Sequence, residues 1–157
     1  MNFINNKLKE MLDKNGVHMS SIKSIVPLEL EEHIQEGVTL SNDALVFSAN
    51  LKVQHDTPTD RFVDLTGYEC FINEINVDGY LNNPSFKELL EVSIACVKHI
   101  ENLLKDEEQK IKIICSVSND EFLTSTIRFH IVREKEEWLS DDINSYEEEG
   151  LLVTTIN

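Results

Sequence analysis

The chain has 157 residues, and its 29 acidic residues against 14 Lys and Arg residues give a formal charge of −15. A chain of this length suits one domain with one sizeable core. The negative charge argues against nucleic acids and anionic membrane surfaces as partners, because both are bound through patches of Lys and Arg.

Two short helices are predicted in the first forty residues. Apolar residues recur at helical spacing over residues 3–12, and Gly16 follows where a left-handed residue would end the helix. A second helix, LELEEHIQ, follows Pro27 and ends before Gly37, which repeats the arrangement of Pro before and Gly after a helix.

The middle of the chain is interpreted as two strands. Apolar and polar residues alternate over 44–54, the period of a strand with one buried face. Residues 62–77 are rich in β-branched and aromatic side chains, but their alternation slips near Gly67, which indicates a bulge or bend. Asp78 and Gly79 then provide a turn.

The most periodic segment predicts a long helix from Pro84 to about Asp106. Its apolar residues cover a wide stripe that includes Ile94 and Val97, and the Asn before Pro84 is the expected cap. A helix of this length is expected to lie across one face of a sheet and to form the main core element.

Three further strands and one helix are predicted in the last third of the chain. Residues 110–118 and 125–133 alternate as strands, and the connection between them is too short for a crossover helix, so they form an antiparallel hairpin. Residues 140–150 begin with Ser-Asp-Asp and end with Gly, which predicts a helix. A closing strand covers 151–156. Strands paired as hairpins with helices to one side predict a single α+β domain over 1–157, with a mainly antiparallel sheet of about five strands.

The sequence carries no recognisable catalytic or metal-binding motif. The sequence contains no phosphate-binding loop, dinucleotide fingerprint, HExxH, CxxC or GxSxG motif. The three cysteines, Cys70, Cys96 and Cys115, are isolated in apolar contexts, and we interpret them as buried, reduced thiols. The five histidines are scattered over the chain without metal-ligand spacing. We therefore expect no metal and no cofactor.

The sequence contains three candidate reactive sites. His130 and Arg128 project from the same face of a strand, where they are either an acid/base or anion-binding couple or two solvated residues. Residues 55–61, from His55 to Arg61, form a polar loop of the kind that can carry catalytic groups. Cys96 is either a nucleophile or an inert core thiol, and its apolar neighbours favour the second interpretation.

The placement of the charge is more informative. Residues 29–36 carry a charge of −4 and residues 134–149 a charge of −7, whereas residues 1–26 have a surplus of +2. A concentrated negative patch accelerates association with a basic partner by long-range steering. The two acidic segments are therefore the candidate interaction surfaces.

The second acidic segment also contains Trp138, the single Trp of the chain, and Tyr146. Such aromatic residues are enriched in interface hot spots, although their spacing also fits the buried face of a helix that packs on the sheet. The predicted partner-binding residues are Glu136, Glu137, Trp138, Asp141, Asp142, Tyr146, Glu147, Glu148 and Glu149. A secondary set consists of Glu29, Glu31, Glu32 and Glu36.

The C-terminal pattern carries a resemblance to a known class of proteins. A strand TIRFHIV is followed by WLSDDINSYEEE and then by a closing strand LLVTT. This order resembles the tails of small bacterial immunity proteins that accompany polymorphic or contact-dependent toxins. The resemblance implies a cytosolic antidote that binds a cognate toxin domain, often a nuclease or another cationic enzyme. Its acidic character would stand in for the phosphates that such a toxin normally binds.

The expected function is therefore non-enzymatic: an immunity protein that neutralises a basic, nuclease-like toxin domain in the cytoplasm. A second interpretation is an acidic secretion chaperone or adaptor, a class that is also small, cytosolic and α+β. A third is a small-molecule enzyme without a recognisable motif, because active sites can be assembled without one. The sequence does not decide the oligomeric state.

Overall fold

The computed structural model describes residues 1–23 and 25–157, and it confirms an α+β fold. Within these residues the helices are α1 (Asn6–Lys14), α2 (Leu28–Gln35), α3 (Leu51–Asp56), α4 (Leu65–Ile72) and α5 (Phe86–Leu104). The strands are β1 (Asn2–Ile4), β2 (Val38–Ser41), β3 (Ala44–Phe47), β4 (Ile75–Asn76), β5 (Ile111–Ser118), β6 (Thr124–Ile131) and β7 (Gly150–Ile156).

Five strands form one antiparallel sheet in the order β1-β7-β5-β6-β4, so that β5 is its central strand. The predicted hairpin of β5 and β6 is confirmed, with Ile111 opposite Ile131 at one end and Ser118 opposite Thr124 at the other. The strands β2 and β3 form a separate two-stranded sheet. The sequence analysis did not identify β2.

Helix α5 packs on one face of the five-stranded sheet, which we call the inner face. Its residues Ile94, Val97 and Ile100 are buried in one core with Ile113 and Phe129. The predicted long helix is therefore the main core element, although it begins later than expected. Pro84 precedes the helix, and the cap is the hydroxyl of Ser85, which accepts a hydrogen bond from the Glu88 amide at 3.1 Å.

The two N-terminal helices are confirmed, with one change at the start. Residues 2–4 do not belong to the first helix, because they pair with β7 as an edge strand, and Asn5 caps α1 instead. Gly16 and Gly37 follow α1 and α2 with positive φ angles of 61° and 84°, the left-handed conformation that favours glycine.

The predicted strand over 44–54 is wrong beyond Phe47. The chain turns at Ser48–Asn50 and continues as α3, in which Leu51 and Val53 are exposed rather than buried. The period-2 pattern misleads here because the buried side chain of α3 is polar: Gln54 donates to the carbonyl of Ser41 at 3.1 Å.

The predicted strand over 62–77 is also wrong, because most of this segment forms α4. The carboxylate of Asp64 caps the helix by accepting a hydrogen bond from the amide of Gly67 at 2.7 Å. The irregularity near Gly67 was therefore a helix start rather than a bulge. Only Ile75–Asn76 pairs as a strand, and Asp78 and Gly79 lie in a following short turn of 3₁₀ helix.

Helix α4 joins the two sheets through two buried polar side chains, Glu69 and Asn73. Asn73 donates to the carbonyl oxygens of Leu45 at 2.8 Å and Phe129 at 3.2 Å, and it accepts from the amide of Phe47 at 3.0 Å. These bonds satisfy backbone groups at the edges of β3 and β6 that no strand covers.

Glu69 completes this bridge with a buried charge. Its carboxylate accepts the amides of Leu45 at 2.7 Å and Ile131 at 2.9 Å. The guanidinium of Arg133 donates to both carboxylate oxygens, at 2.7 and 2.9 Å, and also to the carbonyl of Asp43. Because Glu69 is 0% exposed, its charge depends on these four donors.

We predict that Arg133→Met lowers the free energy of unfolding by about 3–5 kcal/mol, because it leaves the Glu69 carboxylate buried without its counter-charge. Urea unfolding measures this loss. Arg61→Met is the matched control, since Arg61 is exposed and is expected to change stability by less than about 0.5 kcal/mol. Equal stability of the two variants would contradict the bridging role.

Candidate functional site

The acidic segment, residues 134–149, lies across the outer face of the sheet, opposite α5. Strand alternation places Lys112, Arg128 and Val153 on this face, because their neighbours along each strand are in the core under α5. Trp138 contacts Arg128, and residues 139–143 of the segment border Lys112 and Val153. The segment therefore covers part of the sheet that the core helix leaves open.

The predicted helix over 140–150 is wrong, since only Ile143–Ser145 form a single 3₁₀ turn. The reason is a competing set of hydrogen bonds from the buried side chain of Asn5. Its amide nitrogen lies 3.3, 3.1 and 2.8 Å from the carbonyl oxygens of Ile143, Tyr146 and Glu149. In a helix, the carbonyl of Ile143 would accept the amide of a later residue in the same segment. The hydrogen bonds to Asn5 hold the chain in an irregular path instead.

Asn5 also connects this end of the acidic segment to α1 and β7. Its side-chain oxygen accepts the amides of Leu8 at 2.9 Å and Leu151 at 2.8 Å. The next residue, Asn6, donates its backbone amide to the side chain of Asn144 at 2.8 Å. The end of the segment is therefore fixed by the helix cap of α1.

The start of the acidic segment is fixed by α4. Arg133, the residue before the segment, pairs with Glu69, and these hydrogen bonds raise the pKa of the Arg133 guanidinium. Glu136 accepts the backbone amide of Thr66, in the first turn of α4, at 2.9 Å. Glu136 is therefore a structural residue, although the sequence analysis placed it in the binding set.

Trp138 lies between the structural and the exposed parts of the segment. It is 43% exposed, and the guanidinium carbon of Arg128 lies 5.5 Å from the centroid of its ring. Glu74 forms an ion pair with the same guanidinium. The ring is thus held in place by a cation–π contact while a large part of it stays accessible.

The remaining predicted acids of the segment are exposed, and none forms an ion pair with a residue that the structure describes: Glu137, Asp141, Asp142, Glu147, Glu148 and Glu149. Tyr146 differs from them because it is half-buried, and its hydroxyl accepts the amide of Ser140 at 3.1 Å. The segment therefore presents unneutralised carboxylates next to one accessible indole ring.

The secondary acidic set lies elsewhere. Glu29 and Glu32 are exposed on α2, Glu36 is exposed directly after it, and Glu31 is half-buried in the helix. Helix α2 packs against α5, on the inner side of the sheet. The structure therefore does not bring the two acidic sets together.

Arg128 and His130 do not behave as two solvated residues. His130 is 2% exposed, burial lowers its pKa, and its Nδ1 lies 2.8 Å from the carbonyl oxygen of Ile131. Arg128 is engaged with Glu74 and Trp138. The two side chains therefore have different partners and do not form a couple.

The loop from His55 to Arg61 consists of the end of α3 and a short 3₁₀ turn. His55 lies 3.3 Å from the carboxylate of Asp56, and both side chains are exposed. An exposed His–Asp contact of this kind is common on protein surfaces and does not by itself indicate a catalytic site.

The three cysteines are buried, as predicted, and the structure places none of them in a disulfide. Burial raises the pKa of Cys70 and of Cys115 to about 12, and it also raises the pKa of Cys96. Because the thiolate is the reactive form, these groups are inert in the folded protein.

Two further properties hold for residues 1–23 and 25–157. They contain no group of His, Cys, Asp or Glu side chains that could hold a metal ion. They also contain no helix with the length and apolar character needed to cross a bilayer.

In the comparison with known proteins, residues 3–157 match the model of the Uncharacterized protein PM0498 family. The chain belongs to this family. No curated protein and no solved structure matches the chain.

The sequence analysis missed the residues that hold the site in place. Asn5 and Glu69 act through partners more than fifty residues away in the chain, which local patterns do not reveal, and Arg128 was considered only as a couple with His130. One signal was available: an Asn directly before α1 is a typical helix cap.

We predict that Asn5→Asp loosens the acidic segment while it preserves the cap of α1, because Asp caps helices as well as Asn does. The new carboxylate has no amide hydrogens and meets three carbonyl oxygens. We expect a loss of about 2–3 kcal/mol in urea unfolding.

Asn6→Asp is the control, because the side chain of Asn6 is exposed and only its backbone amide contacts the segment. This variant should retain the parent stability. If Asn5→Asp and Asn6→Asp unfolded at the same urea concentration, Asn5 would not be the anchor of the segment.

Proposed function

We propose that this protein is a cytosolic, non-enzymatic antidote that binds a basic protein partner, an immunity protein for a cationic, nuclease-like toxin domain. The observation that carries the proposal is the construction of the acidic segment. It is anchored at both ends by partly buried hydrogen bonds, yet its outward side chains are carboxylates without ion-pair partners among the described residues.

Electrostatics supports this proposal. A fixed array of carboxylates loses less conformational entropy on binding than a flexible tail does, and it adds a directed attraction to a positive surface. Glu147, Glu148 and Glu149 are consecutive and exposed, directly before β7. In this account they occupy the positions that nucleic-acid phosphates take on the toxin.

The accessible indole of Trp138 supports it as well. Trp is enriched among the residues that dominate binding energy, particularly where neighbouring groups hold the ring in position. Arg128 supplies that support through its contact with the ring face. The proposed interface therefore combines charges that accelerate association with an aromatic anchor that slows dissociation.

The class of function is tested by capturing partners of the full chain from native lysate and assaying the captured protein. A cationic enzyme bound one to one, and inhibited in the complex, supports the antidote. A secreted effector that remains active supports the chaperone or adaptor instead. Turnover of a metabolite by the protein alone supports the enzyme interpretation and overturns the proposal.

We predict that the triple variant Glu147→Lys, Glu148→Lys, Glu149→Lys slows association with the captured partner by about tenfold or more at low ionic strength. Stopped-flow kinetics across a salt series measures this effect, and the salt dependence should become flatter. The three side chains are exposed, so the variant should keep the parent melting temperature.

The matched control is Glu29→Lys, Glu32→Lys, Glu36→Lys, on and directly after α2, which changes the net charge by the same amount on the other side of the sheet. Its association rate should fall much less. If the α2 variant slowed association more, the secondary acidic set would be the interface, and the role of residues 134–149 would be refuted.

We predict that Trp138→Ala accelerates dissociation of the complex by about tenfold or more, as expected for loss of a hot-spot residue. Its melting temperature should fall only slightly, because the ring is 43% exposed. Phe122→Ala is the control, since it removes another exposed ring on the β5–β6 connection. A large loss of stability without faster dissociation would assign Trp138 to the fold alone.

A further inference from the structure

A cavity of about 300 Å³ lies between residues 139–143 and the outer face of the sheet. Phe3 and Val153, which are cross-strand partners in β1 and β7, form part of its floor. Leu139 and Ile143 line it from the acidic segment. The volume is at the lower end of the range for small-molecule sites, and the wall combines these apolar side chains with a similar number of polar ones.

The floor also contains one cation, Lys112 of the central strand β5. Its side chain is half-buried, and it has no hydrogen bond or ion pair with any residue in the described part of the chain. Its neighbours across the strands, His130 and Thr155, carry no carboxylate. An ammonium group without a protein partner at the floor of a cavity is available to contact an anionic group of a bound molecule.

His130, which is opposite Lys112 on β6 but does not line the cavity, has one nitrogen without a hydrogen-bond partner among the described residues. A carbonyl oxygen only accepts, so the contact with Ile131 places the proton on Nδ1. The remaining nitrogen, Nε2, is buried without a hydrogen-bond partner in the structure. Burial is the main cause of the lowered pKa of His130, and the charge of Lys112 acts in the same direction.

Asp141 restricts the ligand further. It lines the same cavity without pairing with Lys112, so its charge opposes a bound anion, and it opposes two negative charges on a ligand more strongly than one. Ser140 and Thr155 supply polar groups at the wall. The chemistry of the cavity therefore suits one anionic head group attached to an apolar body.

We propose that this cavity is a binding site for a small amphipathic monocarboxylate. The carboxylate contacts Lys112, and the apolar body packs between Phe3 and Leu139. The proposal does not depend on a protein partner, so it stands or falls separately from the proposed antidote function.

The test is a titration of the isotopically labelled full chain with hexanoate, followed by NMR. Hexanoate should shift the signals of Phe3, Ile143 and Val153 in a saturable way. 1-Hexanol, which lacks the charge, and adipate, which adds a second carboxylate, should each bind about tenfold more weakly or worse. Bound hexanoate should also raise the pKa of His130, since it neutralises the nearby charge of Lys112.

Lys112→Met removes the charge and keeps the length of the side chain, and it should make hexanoate and 1-hexanol bind equally weakly. Lys110→Met is the matched control, because Lys110 is exposed and lies outside the cavity. Absence of saturable shifts, or equal binding of hexanoate and 1-hexanol to the unmodified protein, would overturn the proposal. That comparison is decisive even if Lys112→Met fails to fold.

Discussion

The carboxylate of Glu69 is the contact on which the arrangement of the molecule depends. It is fully buried, and it receives backbone amides from the edges of both sheets together with both terminal nitrogens of Arg133. A buried charge with so many donors tolerates few alternative packings. Because Arg133 is the last residue before the acidic segment, the same contact sets where that segment leaves the sheet.

Asn5 performs the corresponding task at the other end of the segment. Its side-chain nitrogen donates to carbonyl groups of the segment. Its side-chain oxygen accepts the amides of Leu8 in the first turn of α1 and of Leu151 in β7. The path between the two anchors is irregular, and the buried core does not depend on its outward carboxylates. The fold and the proposed binding surface are therefore separable: the anchors stabilise the fold, and exposed residues such as Glu147 and Trp138 belong to the proposed surface.

The sequence predicted the elements whose stability comes from their own periodic apolar residues, namely α5 and the strands β5, β6 and β7. It failed where polar side chains decide the backbone. The segment 62–77 has the composition of a strand, but most of it forms the helix α4. Glu69 and Asn73 on this helix bind backbone groups at the edges of β3 and β6, where another strand would otherwise pair. Asn5 removes the helix predicted over 140–150. The exposed acids of the site were predictable from charge alone, whereas their anchors depend on contacts between distant parts of the chain.

The central claim is that the acidic segment is a fixed surface rather than a flexible acidic tail. Backbone ¹⁵N relaxation of the free protein tests it most directly. The account predicts order parameters of about 0.8 or more for residues 143–149, close to those of the rigid strands. It also predicts slow solvent exchange of the side-chain amide protons of Asn5. Order parameters below about 0.6 over these residues would contradict it.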